Sequence, residues 1–253
     1  MLGLIPAAGA ASRLQPLACS KELLPVGVWR DAAGVERPRA VAEYLLHRMV
    51  AAGADRLLLV ISTAKTDLIR YFGAAWETVP LAYVIQPEPL GLCDALFRAT
   101  PFLGRDEPVL FGLPDTLWFP DDAFAQAPQG GVHLITFPAA APEHFDAVVW
   151  QEGAVARIEV KMPGAADRRV WGAGVIAGSA FRELDALWQQ RQRRDQFLGH
   201  LLNAWIAAGG RVTADRVGTE YWDVGTVAGY RQTLGRLGQP ERLAPPDAVQ
   251  QAA

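Results

Sequence analysis

The sequence predicts an α/β fold in which a mostly parallel, Rossmann-like sheet lies between layers of helices. Three observations predict this three-layer arrangement. Apolar segments of strand length alternate with helical segments through the first half of the chain. The first strand runs directly into a loop of small residues, which is typical of α/β domains. The length of 253 residues, 51% of them hydrophobic, suits one domain with a large core.

The elements of the first half follow from hydrophobic periodicity and from the residues that end each run. Segment 2–6 is the first buried strand, and 56–62 is a continuous apolar run typical of a central parallel strand. Helical spacing over 39–52 places Val41 and Leu45 on one face, and Gly53 ends the helix. The remaining strands are predicted at 81–85, 109–113 and 131–137, and the remaining helices at 65–72 and 92–99.

The second half changes character, because antiparallel strands replace the alternation of strand and helix. A hairpin is predicted from 147–150 and 154–160, with its turn at Glu152 and Gly153. The later elements are predicted as strand 170–177, helices 181–191 and 196–208, strand 211–217 and a last helix at 227–237. Residues 1–238 are therefore expected to form a single domain. The Pro- and Ala-rich stretch 239–253 has no periodicity and is expected to be a loose tail.

Charge and composition argue against several classes of protein. The formal net charge of −3 argues against a nucleic-acid-binding protein, which usually has a basic face. No apolar run is long enough to span a bilayer, and a strand-like segment follows Met1 where a secretory signal would lie. The two cysteines do not suggest a disulfide framework. We therefore expect a cytoplasmic protein without nucleic-acid or membrane partners. Arg191, Arg193 and Arg194 indicate a solvated helix end, with a homo-oligomer contact as the alternative.

The loop over 6–21 has the composition of a phosphate-binding segment. Its small residues, centred on Gly9, let the backbone approach a phosphate closely. Arg13 can contact phosphate oxygens through its fork of donors, and Lys21 can neutralise a second phosphate. An alanine-rich turn with a solvated Arg13 is the alternative.

A second candidate segment follows the third strand and begins with Gln86. Its amide offers a donor and an acceptor together, which can pair with the edge of a pyrimidine base. Gly91, at the start of the next helix, would let that base lie against the backbone. A proline-rich turn with Gln86 on the surface is the alternative.

Two acidic residues and a lysine complete the candidate site. Asp115 follows the fourth strand, at the sheet edge where α/β folds bind ligands, and its carboxylate suits Mg²⁺ beside phosphates. Asp223 could supply a second carboxylate to the same ion. Lys161 could hold an anionic substrate; it is one of three lysines in a chain whose other basic residues are arginines. Caps of neighbouring turns and helices are the alternatives for the acids, and a solvated strand end for Lys161.

These segments occur together, in one order and at compatible spacing. Over residues 2–236 they resemble the sugar-1-phosphate nucleotidyltransferases. The opening motif of that family is matched closely by Arg13-Leu14-Gln15-Pro16 and by Ser20-Lys21-Glu22-Leu23-Leu24-Pro25-Val26. Gln86 and Gly91-Leu92 look like the base-reading residues of members that use thymidine or uridine triphosphates. Asp115 and the run from Asp223 to Thr226 are similar to the family's two metal motifs.

The resemblance implies a GT-A-like fold with a small antiparallel sugar-binding subregion, and it implies a role for each candidate residue. The nucleoside triphosphate would be bound by Ala8, Gly9, Ala10, Arg13, Gln86 and Gly91. The sugar-1-phosphate would be bound by Lys161 and Gly174, and Mg²⁺ by Asp115 and Asp223. Arg13 and Lys21 would be the catalytic residues, the first steadying the leaving pyrophosphate and the second lying between the two reacting phosphates.

The activity that the resemblance implies is the Mg²⁺-dependent condensation of a sugar-1-phosphate, glucose-1-phosphate above all, with dTTP or UTP to give an NDP-sugar and pyrophosphate. The sequence departs from the family pattern at Ala8, Ala10, Ala11, Asp146, Val160 and Met162, and in a shorter span from Pro16 to Lys21. Two other functions stay open. One is a regulatory protein that binds nucleotide or sugar phosphate without turnover, and the other is a cytidylyltransferase acting on a non-sugar phosphate.

Overall fold

The computed structural model describes residues 1–31, 33–151 and 153–237, so the predicted tail at 239–253 and Glu152 of the predicted hairpin turn lie outside it. Its strands are β1 (Leu2–Pro6), β2 (Pro25–Arg30), β3 (Glu36–Ala40), β4 (Arg56–Ile61), β5 (Ala75–Trp76), β6 (Val79–Ile85), β7 (Val109–Gly112), β8 (Thr116–Phe119), β9 (Val132–Pro138), β10 (Asp146–Gln151), β11 (Ala154–Val160), β12 (Arg169–Ile176), β13 (Val212–Ala214) and β14 (Glu220–Asp223). Its α-helices are α1 (Val41–Ala51), α2 (Thr66–Phe72), α3 (Leu92–Phe97), α4 (Gly178–Gln190), α5 (Leu198–Ala207) and α6 (Val227–Leu237).

The centre of the main sheet is parallel, as predicted. Strand β1 pairs with β4 on one side and with β7 on the other, and β6 pairs with β4. Strands β1, β4 and β7 are apolar runs whose side chains are largely buried on both faces, which suits strands covered by helices on either side. Their carboxyl ends share one edge of the sheet, and the connections that follow β1, β4, β6 and β7 therefore lie close together.

The second half of the chain extends this sheet with antiparallel strands. Strand β12 pairs antiparallel with both β7 and β9, and β10 pairs antiparallel with β11. The predicted hairpin at 147–160 is confirmed. The strand predicted at 131–137 is β9, and it runs in the same direction as β7 because β12 is antiparallel to both. It is separated from β7 by β12, which returns from the second half of the chain.

Helices cover the two faces of the sheet, which confirms the predicted α/β class. One apolar cluster packs the side chains of α3, α4 and α5 against one face. A second cluster packs α1 and α2 against the other face. The burial of these apolar side chains is the main stabilising contribution to the three-layer arrangement.

Two small sheets lie outside the main one. The hairpin formed by β2 and β3 replaces the start of the helix predicted at 39–52, since β3 includes residues 36–40. The other small sheet pairs β8 with β14, which lies far along the chain. This second pairing holds the candidate metal segments side by side.

Candidate nucleotide and metal site

The loop after β1 passes close to the Lys21 side chain. The N–H of Ala7 still bonds the Val60 carbonyl at 2.7 Å, and the chain then leaves the sheet. A Cβ atom added to Gly9 would lie 3.7 Å from Lys21 Nζ. The left-handed backbone of this loop is at Ala11, with φ of 55°, and not at Gly9. The absence of a side chain at Gly9 therefore lets the loop lie close to Lys21, and the backbone conformation at Gly9 does not itself require a glycine.

The pairing of β8 with β14 brings Asp115 and Asp223 together. Asp115 precedes β8, and Asp223 is the last residue of β14, opposite Thr116. The N–H of Val224 donates to the Asp115 carbonyl at 2.9 Å. A Cβ atom added to Gly225 would lie 2.8 Å from Asp223 Oδ1 and 2.9 Å from Asp115 Oδ2. The two carboxylates therefore face one small space, which the missing side chain of Gly225 leaves open.

Two basic side chains reach these carboxylates. Lys21 Nζ donates to Asp115 Oδ2 at 2.5 Å, with both side chains largely buried. Arg13 Nη1 lies 3.5 Å from Asp223 Oδ2, and the Arg13 side chain is 59% exposed. Lys21 is thus engaged within the site, whereas Arg13 has freedom to meet a ligand at its mouth.

The charges of the site are unevenly compensated. Burial disfavours a charged Lys21, yet Asp115 raises the pKa of Lys21 above its ordinary value. Burial opposes ionisation of Asp115 too, but Lys21 brings the pKa of that carboxyl below its usual range. Burial and then the charge of Asp115 raise the pKa of Asp223. A cation bound beside both carboxylates would offset their mutual repulsion and favour ionised Asp223.

The donor set fits Mg²⁺. That ion binds oxygen ligands, commonly one or two carboxylates with water and substrate phosphates in the remaining positions. Among residues 1–31, 33–151 and 153–237 no cluster of three or more metal-ligating side chains occurs. Asp115 and Asp223 would therefore hold the ion through two carboxylates and leave positions for phosphate oxygens.

A cavity of about 610 Å³ lies at the edge where the parallel strands end. Its walls are parts of the connections after β1, β4 and β6, among them residues 17–21, 62–67 and 86–87. A second cavity of about 200 Å³ adjoins it and is lined by Gly9, Gln86 and Gly91. The predicted nucleotide-binding residues Ala8 and Gln86 line both cavities.

Gln86 is buried, and its amide is oriented by the protein. Its Nε2 donates to Asp94 Oδ2 at 2.7 Å and to the Gly91 carbonyl at 3.1 Å. Both amide hydrogens are thereby used, and the carbonyl oxygen alone stays available to a base. The sequence predicted a donor and an acceptor here, and the donor is taken because Asp94 lies in the first turn of α3.

Gly91 makes the turn into α3 possible. Its φ is 97°, and a Cβ atom there would lie 2.7 Å from the Gln196 carbonyl oxygen. The N–H of Leu92 donates to that same carbonyl at 2.8 Å. The glycine is thus required both by its backbone conformation and by the chain that crosses it.

Lys161 and Gly174, the predicted sugar-phosphate residues, lie outside this cluster. Lys161 follows β11 with φ of 47°, and its Nζ lies 4.3 Å from the centroid of the Phe197 ring. No salt bridge in the described ranges joins it to Asp115 or Asp223. Gly174 is within β12, where a Cβ atom would lie 2.6 Å from both the His133 carbonyl and the Phe111 ring. Strand packing alone therefore explains a glycine at 174.

Asp146, where the sequence departs from the family pattern, starts β10 opposite Val160. Burial raises the pKa of its carboxyl, while Trp171 and Lys161 oppose that rise. A Cβ atom on Gly199 would lie 3.0 Å from Asp146 Oδ2, so the carboxylate packs on the first turn of α5.

The sequence reasoning missed a buried ion pair beside the loop. Lys65 Nζ lies 2.8 Å from each carboxylate oxygen of Glu22, and the two residues are 7% and 1% exposed. Burial lowers the pKa of Lys65 and raises that of Glu22. The rarity of lysine in this chain was the one signal that could have marked Lys65.

The fold of this chain is also found among solved structures. A UTP-bound UGPase from Acinetobacter baumannii superposes with a TM-score of 0.75 at 20% identity, covering 95% of this chain and 94% of that structure. The two chains therefore share one fold. Within the residues described, no helix is long and apolar enough to cross a membrane.

The family follows from the sequence comparison. The nucleotidyl transferase family model matches residues 2–237, so the chain belongs to that family, and the predicted resemblance is confirmed. A glucose-1-phosphate thymidylyltransferase of Neisseria meningitidis is 28% identical over 161 residues, 60% of this chain and 52% of the relative. A UTP–glucose-1-phosphate uridylyltransferase of Escherichia coli K12 is 30% identical over 146 residues, 48% of this chain and 45% of the relative. The chain thus spans about half the length of these curated relatives.

Proposed function

We propose that this chain transfers a nucleotidyl group from dTTP or UTP to a sugar-1-phosphate, glucose-1-phosphate above all, and releases pyrophosphate with Mg²⁺ as cofactor. The observation that carries the proposal is the convergence of Asp115 and Asp223 on one space, with Lys21 and Arg13 beside them. The names of the two relatives support the choice of nucleotide and sugar.

The proposed reaction is a direct displacement. An oxygen of the sugar phosphate attacks the α-phosphorus of the nucleotide. A new O–P bond forms, the bond from that phosphorus to the bridging oxygen breaks, and the electron pair leaves with pyrophosphate. Bound Mg²⁺ would supply positive charge at the α-phosphate. Positioning and charge neutralisation account for most of the rate in such transfers, so no protein nucleophile is required.

Each residue of the site has a separate part in this displacement. Lys21, above Gly9, would neutralise the two phosphates as they approach, since its Nζ already lies among the carboxylates. Arg13 is exposed at the mouth of the site and would hold the leaving pyrophosphate. Gln86 would accept a hydrogen bond from the base through its free carbonyl oxygen. Lys161 would bind the sugar phosphate from the β11 edge.

Pyrophosphate release tests the proposal. The chain would be incubated with Mg²⁺ and each of dTTP, UTP and CTP, against a panel of sugar-1-phosphates and non-sugar phosphates, and the NDP-sugar would be identified by mass. We expect release with dTTP or UTP and glucose-1-phosphate, and none in EDTA. Nucleotide binding without release would instead indicate a regulatory protein, and a preference for CTP with a non-sugar phosphate would indicate a cytidylyltransferase.

A further inference from the structure

The backbone on both sides of Lys21 is tied to the start of α2. Ser20 donates to the Asp67 carboxylate twice, from its N–H at 2.6 Å and from its Oγ at 2.7 Å. Glu22, the next residue after Lys21, is held by Lys65 Nζ at 2.8 Å. The Lys21 side chain takes part in neither the Ser20–Asp67 nor the Glu22–Lys65 contact, and it is therefore free to reach Asp115.

Lys65 joins this segment to the phosphate loop as well. Its Nζ donates to the Ala7 carbonyl at 2.6 Å and to the two Glu22 oxygens. An ammonium group has three hydrogens to donate, so these contacts use all of them. Lys65 lines the larger cavity, yet it has no donor left for a ligand. Its effect on a bound nucleotide must therefore act through Ala7 and Glu22.

Asp67 is itself fixed by the helix that carries it. Its Oδ1 accepts from the N–H of Leu68 at 3.1 Å, and Leu68 is fully buried in the core cluster on that face. The hydrogen bonds from Ser20 lower the pKa of Asp67 although its partial burial raises it, so the carboxylate stays ionised at neutral pH. The anchor of Ser20 is thus part of the packed α/β scaffold.

We propose that Lys65 and Asp67 are positioning residues that fix the backbone of Lys21 relative to the phosphate loop. A lysine side chain has many rotamers. If the backbone at Lys21 were free to move as well, the Lys21 ammonium would occupy more positions, and fewer of them would lie beside the reacting phosphates. The two ties hold the residues before and after Lys21, leaving the side chain alone to be ordered by Asp115 and the substrates. This inference rests on the proposed nucleotidyl transfer for its effect on rate.

A double-mutant cycle between Asp67 and Lys21 tests the proposal. We expect Asp67→Ala to lower kcat about 10-fold to 100-fold, as a misplacement on the order of 1 Å does, with a smaller change in the nucleotide KM. In a Lys21→Ala background the same Asp67→Ala change is expected to alter kcat by less than about twofold, because Lys21 is the residue that the anchor positions. In Asp67→Asn the amide oxygen can accept from the Ser20 N–H and the amide NH2 can donate to Ser20 Oγ, while the bond from the Leu68 N–H is lost, so this variant should recover part of the activity.

The matched control is Asp31→Ala. Asp31 also accepts two backbone N–H bonds, from Ala33 and Val35 at 3.0 and 2.9 Å, but in the hairpin turn between β2 and β3. Its loss is expected to leave kcat unchanged. An Asp67→Ala effect of equal size with and without Lys21 would overturn the proposal, because Asp67 would then act independently.

Hydrogen–deuterium exchange gives a readout that does not depend on turnover. Peptides covering 18–25 are expected to exchange faster in Asp67→Ala and in Lys65→Met than in the wild type, while peptides of the β1–β4 core exchange at the same rate. Unchanged exchange over 18–25 in a folded Asp67→Ala chain would refute the anchoring, whatever the activity. A wild type that releases no pyrophosphate would refute the proposed function instead, and the exchange result would then decide the anchoring alone.

Discussion

At the scale of single residues, the site depends on how a few buried charges are compensated. Asp115 is 8% exposed and would be costly to ionise without Lys21 beside it. Lys21 in turn keeps its charge because Asp115 offsets its burial. Asp115 therefore keeps Lys21 protonated, as the proposed reaction requires of the group that neutralises the two phosphates.

Replacing Lys21 tests the value of that charge. We expect Lys21→Ala to lower kcat/KM about 100-fold, the loss seen when one preorganised donor is removed from a reaction site. Steady-state kinetics with dTTP or UTP and glucose-1-phosphate would measure it. Arg30→Ala is the control, since Arg30 pairs with Glu36 on the exposed hairpin. Wild-type turnover in Lys21→Ala would remove this residue from the mechanism.

Gly225 offers a second test, because its missing side chain leaves the space between the carboxylates open. In Gly225→Ala the new methyl group would lie 2.8 Å from Asp223 Oδ1 and 2.9 Å from Asp115 Oδ2. We expect the apparent Mg²⁺ affinity, from the metal dependence of the rate, to fall about 10-fold to 100-fold. Gly235→Ala in α6 has nothing within 4 Å and should leave the metal dependence as it is. Equal metal dependence in the two variants would argue against a metal at this position.

Some of these residues could be predicted from the sequence and others could not. Asp115 and Lys21 stand in short local motifs, each beside a recognisable strand or loop. Glu22 and Lys65 become a pair only in the fold, and neither has a neighbour in the sequence that reveals the other. The donors of Gln86 are likewise taken by a residue of the following helix.

At the scale of elements, the turn into α3 depends on one glycine. Gly91→Ala would place a Cβ atom 2.7 Å from the Gln196 carbonyl oxygen, and it would force an alanine into a backbone conformation with φ of 97°. We expect a loss of about 1–3 kcal/mol in the free energy of unfolding, measured in urea, and a higher nucleotide KM. Gly73→Ala has φ of 64° but nothing within 4 Å, so it reports the cost of the backbone conformation alone. Equal losses in both variants would show that the contact with Gln196 contributes nothing.

The elements that the sequence missed share a physical cause. Strands β2 and β3 are half-exposed and carry no continuous apolar run, so periodicity gives little signal there. Strand β14 is four residues long, and it is stabilised by pairing with β8. The long apolar runs of β1 and β4 were predicted correctly because burial on both faces leaves a plain pattern in the sequence.

At the scale of the whole molecule, the order of the sheet divides the site between two sets of strands. The cavities adjoin the ends of β1, β4 and β6, whereas Lys161 follows β11 at the opposite edge of the sheet. Strand β7 lies between β11 and the strands that adjoin the cavities, and Asp115 follows β7 in the chain. In the proposed reaction, the carboxylates would therefore lie between a nucleotide bound on one side and a sugar phosphate bound on the other.

This arrangement predicts opposite effects of Asp223→Asn on the free protein and on the liganded protein. The folded-state pKa of Asp223 is raised by burial and by Asp115, so ionised Asp223 reduces stability as pH rises through that pKa. Removing its charge should leave the Tm of the metal-free protein unchanged or higher at neutral pH. Mg²⁺ with UTP at about 100 times Kd should stabilise the wild type by about 2.7 kcal/mol, and Asp223→Asn should lose the Mg²⁺-dependent part of that gain.

Thermal unfolding with and without EDTA measures both effects. Asp185→Asn is the control, because Asp185 accepts a hydrogen bond from Gln189 within α4. This substitution should change neither the Tm of the metal-free protein nor the gain in Tm on adding Mg²⁺ and UTP. A fall in the metal-free Tm of Asp223→Asn would show that its charge stabilises the fold, contrary to the like-charge repulsion argued here. A full Mg²⁺-dependent gain in the variant would show that the ion is held without Asp223. Because both outcomes are read from stability, they judge the metal site even where turnover is too slow to follow.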